Sequence, residues 1–151
     1  MKKNHTGIIK AIKQVNKDVY KVVISAPTVN SLTSGEYLSI LCENLTFRRP
    51  FSIADFENGN ITILVKKRGK GTDYISSLKV GDKIEFSAPL GNTFNIENKK
   101  TLLIGAGIGI APLFYLQKQL KAVGAETYLA VGFLNSESII ELIETDYDIV
   151  S

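Results

Sequence analysis

The stretch Arg49-Pro50-Phe51-Ser52 decides how this sequence is interpreted, because two further motifs follow it in an informative order. Gly71-Thr72 comes next, and Gly105-Ala106-Gly107-Ile108-Gly109-Ile110-Ala111-Pro112 follows a short apolar run. An arginine guanidinium is a rigid fork that suits a pyrophosphate. A glycine-rich loop that opens a helix offers backbone N–H groups to a phosphate. Together the motifs predict two nucleotide sites in tandem.

The composition is that of an ordinary globular protein. The chain has 151 residues, of which 44% are hydrophobic and 22% charged, enough for one domain or two small lobes. The formal net charge is only +3, and the lysines are scattered apart from Lys66, Lys67, Arg68 and Lys70. We therefore expect no nucleic acid as the main partner.

Two rare residues limit the chemistry. The one cysteine, Cys42, cannot form a disulfide framework or an all-cysteine metal or iron–sulfur site. The one histidine, His5, excludes a histidine-rich zinc site. No signal-peptide pattern follows Met1. Glycines and Pro112 interrupt the apolar run from Leu102 to Leu116, which is too broken to be a membrane span. We expect a cytoplasmic protein that does not bind a membrane.

Alternating polar and apolar residues dominate residues 1–97 and predict β-structure. Asn16-Lys17-Asp18 and Asn58-Gly59 are typical of turns. A short helix is predicted from Asp73 to Leu78. Six short strands separated by turns predict a small antiparallel barrel. The predicted strands are Ile8–Val15, Asp18–Ala26, Glu36–Glu43, Phe51–Ala54, Ile61–Lys66 and Ile84–Phe86.

From residue 98 to 151 the pattern changes to that of a partial α/β, Rossmann-like lobe. Thr101–Ile104 is a continuous apolar run, typical of a buried parallel strand. Ala111–Ala122 is predicted to be a helix, with Pro112 in its first turn and Gly124 as its C-terminal cap. Its apolar stripe is formed by Leu113, Leu116 and Leu120. A strand Glu126–Phe133, a helix Glu137–Ile143 capped by Ser136, and a third strand Asp148–Ser151 are expected to follow.

The loop from Gly105 to Pro112 has a strand before it and a helix after it, as a nucleotide-binding βαβ unit requires. Its spacing differs from the standard G-x-G-x-x-G pattern, and a tight turn without a ligand is the alternative interpretation. Neither an acid nor an arginine stands in Gly132–Asn135, where the second strand ends. The residues therefore leave NAD and NADP equally open.

Each of the other two motifs has a structural alternative when it is taken alone. Arg49, Pro50 and Phe51 could be a surface arginine, a turn proline and a core aromatic residue. Gly71-Thr72 could be a plain helix cap, and the basic residues beside it a solvated loop. Cys42 is expected to be a buried strand residue and His5 a surface residue.

The order of the three motifs resembles the ferredoxin–NADP reductase superfamily. Arg48-Arg49-Pro50-Phe51-Ser52-Ile53 is most similar to the electron-transfer subunit of type B dihydroorotate dehydrogenase, an enzyme of pyrimidine biosynthesis. Pro50 and Phe51 fit that branch better than the small or polar residue and tyrosine of the wider superfamily. The resemblance covers nearly the whole chain. It implies an FAD-binding barrel followed by a lobe for NAD(H).

The resemblance also implies roles for individual residues. Arg49 would contact the flavin pyrophosphate, Phe51 would lie against the isoalloxazine, and Ser52 would lie near its N5 edge, with Pro50 between them in the motif. Leu64, Val65 and Lys66 match a strand that lines the flavin nucleotide, and Gly71 and Thr72 match its phosphate loop. The nicotinamide nucleotide loop is matched by Gly105, Gly107, Gly109 and Pro112.

The implied function is electron transfer between NAD(H) and a catalytic or electron-accepting partner subunit, with no side chain acting as acid or base. Two departures qualify it. Relatives of this type carry four C-terminal cysteines that bind a [2Fe–2S] cluster, and no cysteine follows Cys42 here. The α/β lobe is also about half its usual extent, so we expect a truncated or short form with weak or absent NADH turnover. A non-catalytic partner-docking module and a nucleotide-binding regulator are the alternatives, and homo-oligomerisation stays open.

Overall fold

The computed structural model describes residues 3–135, which form two sheets and two α-helices. Seven antiparallel strands make one sheet in the order β4-β3-β7-β1-β2-β6-β5, and two parallel strands, β8 and β9, make the other. The strands are β1 Lys3–Gln14, β2 Val19–Ser25, β3 Tyr37–Leu41, β4 Arg49–Ser52, β5 Asp55–Glu57, β6 Asn60–Lys66, β7 Lys83–Leu90, β8 Thr101–Ala106 and β9 Thr127–Gly132. The helices are α1 Lys70–Ser77 and α2 Ala111–Ala122.

The two edge strands of the large sheet, β4 and β5, are consecutive in the chain, which means that the sheet curls on itself. Only Ile53 and Ala54 separate them. The Ile53 N–H donates to the Glu36 carbonyl at 3.3 Å, on the β3 side, and the Ala54 N–H donates to the Thr62 carbonyl at 2.9 Å, on β6. The chain therefore steps from one edge of the sheet directly to the other, and the predicted antiparallel barrel is confirmed.

The barrel has seven strands where the sequence predicted six. Strand β5 was missed because three residues, Asp55–Glu57, are too few to show an alternating pattern. The fourth strand is Arg49–Ser52, two residues earlier than predicted, because Pro50 lies inside an edge strand, where a missing N–H is tolerated. Strand β1 begins at Lys3 instead of Ile8, and β7 runs to Leu90 instead of ending at Phe86.

Both predicted turns are present. The Asn16 side-chain oxygen accepts hydrogen bonds from the backbone N–H groups of Asp18 at 3.0 Å and Val19 at 2.9 Å. This holds the turn between β1 and β2. Asn58 and Gly59 have φ angles of 51° and 73°, as a two-residue hairpin turn of the I′ type requires.

Helix α1 begins at Lys70, three residues before the predicted start at Asp73. The Thr72 hydroxyl accepts from the backbone N–H groups of Arg68 at 2.8 Å and Gly69 at 3.1 Å, and donates to the Gly69 carbonyl at 2.9 Å. The side chain of Thr72 thus folds back on the preceding loop. Gly71 and Thr72 are therefore part of the first helical turn, whereas the sequence prediction placed them just before the helix.

The barrel interior is filled mainly by aliphatic side chains, which surround the fully buried ring of Phe86. Cys42 is buried among them, one residue past the end of β3 instead of on the strand. His5 was expected at the surface, but it is half-buried and stacks on Phe86 with 5.5 Å between the ring centroids. The fully buried side chains of this core include Ile9, Val22, Ile24, Leu38, Ile40, Ile53, Ile61, Ile63, Val65, Ile75 and Phe86.

The second part of the chain forms the predicted β-α-β unit. A 3₁₀ turn, Gly107–Ile110, connects β8 to α2, and α2 returns the chain to β9, parallel to β8. Leu116 and Leu120 pack with Leu103 of β8 and Leu129 of β9, and Leu113 packs beside them, which confirms the leucine stripe. Gly124, with φ 85°, ends the helix as predicted. The predicted helix Glu137–Ile143 and strand Asp148–Ser151 lie outside the described residues.

Candidate nucleotide-binding site

A gap between β4 and β6 interrupts the hydrogen bonding of the barrel wall. Strand β4 pairs with β3 on one side. Strand β6 pairs with β2 along its whole length, but with β5 only from Asn60 to Thr62. Within residues 3–135, the second half of β6 therefore turns an unpaired backbone edge toward the unpaired edge of β4. Backbone N–H and C=O groups on such edges need partners, and a ligand can supply them. We call this opening the β4–β6 gap.

Arg49 and Gly71 meet at one end of the β4–β6 gap. A Cβ atom built on Gly71 would lie 2.7 Å from Nε and 2.8 Å from Cγ of Arg49, so the arginine lies directly on the first turn of α1. Nη1 of Arg49 donates to the Phe47 carbonyl at 2.7 Å, which fixes the position of the guanidinium. The structure thus brings together two of the motifs that the sequence placed apart.

The chemistry at this end of the gap suits a pyrophosphate. The first N–H groups of a helix have no intrahelical partner and carry a partial positive charge. The Arg49 guanidinium adds a full charge beside them. Lys67 and Arg68 are exposed just before α1 and Lys70 is exposed in its first turn, and Lys67 pairs with Asp73 at 3.7 Å. Because the Thr72 hydroxyl holds the loop, Thr72 can offer a ligand only its backbone N–H.

The four residues of the Arg49–Ser52 motif point to two faces of β4. Arg49 pairs with Ile40 and Phe51 with Leu38, two buried residues, so the side chains of Arg49 and Phe51 are directed inward. Phe51 is half-buried and packs against the barrel core. Pro50 and Ser52 are exposed on the other face. A flat ligand that contacts both Phe51 and Ser52 must therefore lie along the unpaired edge of β4.

The strand opposite, β6, contributes its backbone to the gap. Leu64 and Val65 are buried, and their side chains pack in two different apolar clusters. Only their N–H and C=O groups can reach a ligand in the gap. Lys66, at the end of the strand, is half-buried and pairs with Asp18 at 3.5 Å.

The glycines of the second motif have different surroundings. Gly105 lies within β8, and a Cβ there would approach Leu113 Cδ1 to 2.7 Å and Ile110 Cγ2 to 3.0 Å, so this glycine allows α2 to pack closely. At Gly107, with φ 52°, and at Gly109 a Cβ would meet nothing within 4 Å. Pro112 is in the first turn of α2, as expected. Space for a ligand therefore lies beside Gly107 and Gly109.

Some residues near the site gave no clear signal in the sequence. Phe47 is 75% exposed and its carbonyl holds Arg49, but nothing in the sequence marks it except its position before two arginines. Ile110 is fully buried between the glycine motif and the barrel. The apolar character of Ile110, which follows the last glycine of the motif, is the sequence signal that this loop is packed and not entirely open.

Cys42 lies under this site as a protonated thiol. Its Sγ donates to the Gly71 carbonyl at 3.7 Å. Burial raises the pKa of the thiol above its ordinary value, and the nearby Arg49 charge offsets part of that rise. Burial, followed by Glu43, also raises the pKa of the neighbouring Tyr74. Neither group is poised to act as a base or a nucleophile at neutral pH.

The described residues show no metal centre and no membrane helix. Between residues 3 and 135, no three His, Cys, Asp or Glu side chains lie close enough together to hold a metal ion. Neither helix in this part of the chain is long and apolar enough to cross a membrane.

Comparison with known proteins identifies the class to which this fold and site belong. Residues 6–95 match the family model of the oxidoreductase FAD-binding domain, and the chain belongs to this family. The donor set at the gap fits FAD, since a guanidinium and a helix N-terminus can hold its pyrophosphate.

The relatives include electron transfer subunits of dihydroorotate dehydrogenase B (NAD(+)). The subunit from Caldanaerobacter subterraneus subsp. tengcongensis is 46% identical over 112 residues, which cover 73% of this chain and 44% of the relative. The subunit from Streptococcus mutans is 35% identical over 136 residues, covering 85% and 53%. The chain thus spans about half the length of the curated relatives it matches.

Solved structures share the fold over almost the whole chain. An NADH-dependent reduced ferredoxin–NADP oxidoreductase is 31% identical with a TM-score of 0.83, covering 93% of this chain and 51% of that one. A cytochrome P450 reductase from Amycolatopsis has a TM-score of 0.85 at 22% identity, covering 93% and 46%, and shows the shared fold alone. The resemblance to the ferredoxin–NADP reductase superfamily is confirmed.

Proposed function

We propose that this chain holds FAD in the β4–β6 gap and forms the flavin-carrying part of an electron transfer subunit. The subunit would pass electrons between NAD(H) and a catalytic partner subunit of the dihydroorotate dehydrogenase B type. The observation that carries the proposal is the contact of Arg49 with the first turn of α1 at the end of an unpaired strand edge. Bound FAD would supply the redox chemistry, and the protein would supply binding, orientation and charge.

The roles of the barrel residues follow from their positions. Arg49 and the backbone N–H groups of Gly71 and Thr72 would hold the pyrophosphate. Phe51 and Ser52, which follow Pro50 in the strand, would contact the flavin ring along the edge of β4. The opposite edge of the ring system would face the backbone of β6 from Leu64 to Lys66.

The nicotinamide nucleotide would bind at the start of α2. The open space at Gly107 and Gly109 and the N-terminus of α2 at Pro112 support this part of the proposal, and Gly105 would support it indirectly by seating the helix. The names of the relatives favour NAD(H) over NADP(H). No side chain needs to act as acid or base.

The test compares two adjacent arginines. Protein freed of flavin is titrated with FAD, and binding is followed by the flavin absorbance and by quenching of its fluorescence. Arg49→Ala should weaken FAD binding by about tenfold or more, since a hydrogen bond to a charged group contributes about 1.5–3 kcal/mol. Arg48→Ala is the matched control, because Nη1 of Arg48 donates to the Ser39 carbonyl at 3.3 Å. It should leave FAD affinity unchanged.

Two results would count against the proposal. A colourless protein whose melting temperature does not respond to FAD would exclude the flavin site. Bound flavin that is bleached by dithionite but not by NADH under anaerobic conditions would support the flavin site and exclude the NAD(H) part of the proposal. The chain would then be a flavin-binding docking module of its partner.

A further inference from the structure

Helix α2 has two occupied faces. Leu113, Leu116 and Leu120 pack toward its own sheet. Tyr115, Lys118 and Gln119 follow the i, i+3, i+4 spacing of a second face, and all three make polar contacts with the barrel. We call these three residues the α2 anchor.

The α2 anchor reaches two separate parts of the barrel. The hydroxyl of Tyr115, a buried residue, donates to the Leu32 carbonyl at 2.7 Å. The side-chain oxygen of Gln119 accepts from the Ser34 N–H at 2.9 Å. Both partners lie on the loop between β2 and β3.

The third contact of the α2 anchor is on β5, an edge strand of the seven-stranded sheet. Nζ of Lys118 lies 2.9 Å from Oδ1 of Asp55 and 3.4 Å from Oε2 of Glu57, both on β5. Contacts to two different segments fix the direction of a helix, whereas a single contact would leave it able to pivot. The segment from residue 91 to 100, which joins the barrel to β8, has no helix or strand of its own.

The start of α2 is pressed against the strand that borders the β4–β6 gap. Ile110 and Ala111 are buried in one apolar cluster with Val19, Ala54 and Leu64. Leu64 belongs to β6, whose unpaired backbone edge faces the gap. The loop containing Gly107 and Gly109 is therefore seated on the back of the strand that would line the flavin.

We propose that the α2 anchor is a set of positioning residues that fixes the distance between the glycine loop and the β4–β6 gap. The consequence for electron transfer rests on the proposed function: a nicotinamide at the loop reaches the flavin at a productive distance only while the helix is held in this direction. Transfer between two bound groups is steeply sensitive to a displacement of about 1 Å. Loss of the α2 anchor therefore lowers the rate of transfer and leaves each nucleotide's own contacts in place.

The first experiment measures position without any cofactor. Spin labels are attached to cysteines introduced at two exposed positions, Lys13 of the barrel and Val123 at the end of α2. Labelling of the parent protein checks that buried Cys42 stays unmodified. The distance distribution between the labels should be narrow in the parent. It should widen about twofold in the double variant Tyr115→Phe/Lys118→Met, because α2 can then pivot relative to the barrel.

A matched control and a second variant keep the result interpretable. Lys121→Met removes an exposed lysine from the same helix, one turn from the α2 anchor, and should leave the distribution unchanged. Lys118→Met alone changes only an exposed side chain and can be measured even if the double variant loses its fold. It should give a smaller widening of the distance distribution. An unchanged distribution in a folded double variant would overturn the proposal.

The second experiment measures transfer in the FAD-loaded chain by anaerobic stopped flow with NADH. The double variant should lower the limiting rate of flavin bleaching about tenfold, with unchanged dissociation constants for FAD and NADH. Weaker NADH binding at an unchanged limiting rate would overturn the positioning role. If the parent protein is not bleached by NADH, the NAD(H) part of the proposed function fails, and the label distances alone decide whether the α2 anchor fixes the direction of the helix.

Discussion

Replacing Gly71 by alanine tests the contact on which the flavin site depends. The new Cβ would lie 2.7 Å from Nε, 2.8 Å from Cγ and 3.1 Å from Cδ of Arg49, so the arginine side chain has to move. Movement breaks its 2.7 Å bond to the Phe47 carbonyl, and because this bond is exposed to water its loss costs only about 1 kcal/mol. Alanine stabilises a helical position by about 1 kcal/mol relative to glycine. The free energy of unfolding of the flavin-free protein should therefore change little.

Binding of FAD should respond much more strongly than folding. A displaced guanidinium loses a charge-assisted bond to the pyrophosphate, about 1.5–3 kcal/mol, which weakens FAD binding about 10-fold to 150-fold. Urea denaturation of the flavin-free protein measures its free energy of unfolding, and fluorescence titration with FAD measures the dissociation constant for FAD. Gly69→Ala is the matched control, because a Cβ at Gly69, two residues earlier, would meet nothing within 4 Å.

Either of two results would refute this reasoning. Gly71→Ala could bind FAD as tightly as the parent, which would show that Arg49 does not hold the cofactor. Gly69→Ala could weaken FAD binding as much as Gly71→Ala, which would attribute the effect to the loop backbone and not to Arg49.

Three further predictions concern the rest of the structure. Gly105→Ala should destabilise the chain by about 1–3 kcal/mol in urea denaturation. The new Cβ would overlap Leu113 Cδ1 at 2.7 Å and would lie 3.3 Å from the backbone atom Ile110 Cα. An unchanged free energy of unfolding would mean that α2 is loosely packed. Cys42 should react with a thiol reagent only after unfolding, because it is buried and its pKa is raised; rapid labelling of the folded protein would contradict its position. Burial lowers the pKa of Lys118, but its bonds to Asp55 and Glu57 more than offset this, so the net pKa is above the ordinary 10.5. Because folding raises the pKa of Lys118, its ion pairs stabilise the fold at pH values below the unfolded-state pKa. This stabilisation is lost as the pH rises through the folded-state pKa. Lys118→Met should therefore cost about 0.2–1 kcal/mol at pH 8 and nothing at strongly alkaline pH, and a pH-independent cost would exclude the ion pair as its cause.

Much of the barrel could be predicted from the sequence because its signals are local. Alternation over Ile8–Val15 reports one face turned toward the core, and the apolar run within Ile61–Lys66 reports a strand that is largely buried. Asn58 and Gly59 tolerate positive φ angles and so locate a turn. Strand β5 escaped prediction because it is short and is defined by its pairing with β6, not by its own residues.

The roles of the motif residues were only partly visible. The glycines of the second motif look alike in the sequence, but Gly105 is enclosed by Leu113 and Ile110 while Gly107 and Gly109 are open. Leu64 and Val65 appear as a strand that could present side chains to a ligand, yet both are buried and can offer only their backbone. The placement of each residue depends on what packs against it from elsewhere in the chain.

The sequence by itself determined six of the seven barrel strands, the leucine stripe of α2 and the chemical character of the three motifs, since each depends on residues close together in the chain. Only the tertiary structure decided that Arg49 lies on Gly71, that β4 and β6 face each other across a gap, and that Tyr115, Lys118 and Gln119 bind the barrel. The physical reason is that such contacts depend on strand register and on how the sheet closes. The polar face of α2 would look the same in a sequence whether it were solvated or bound to a neighbouring element.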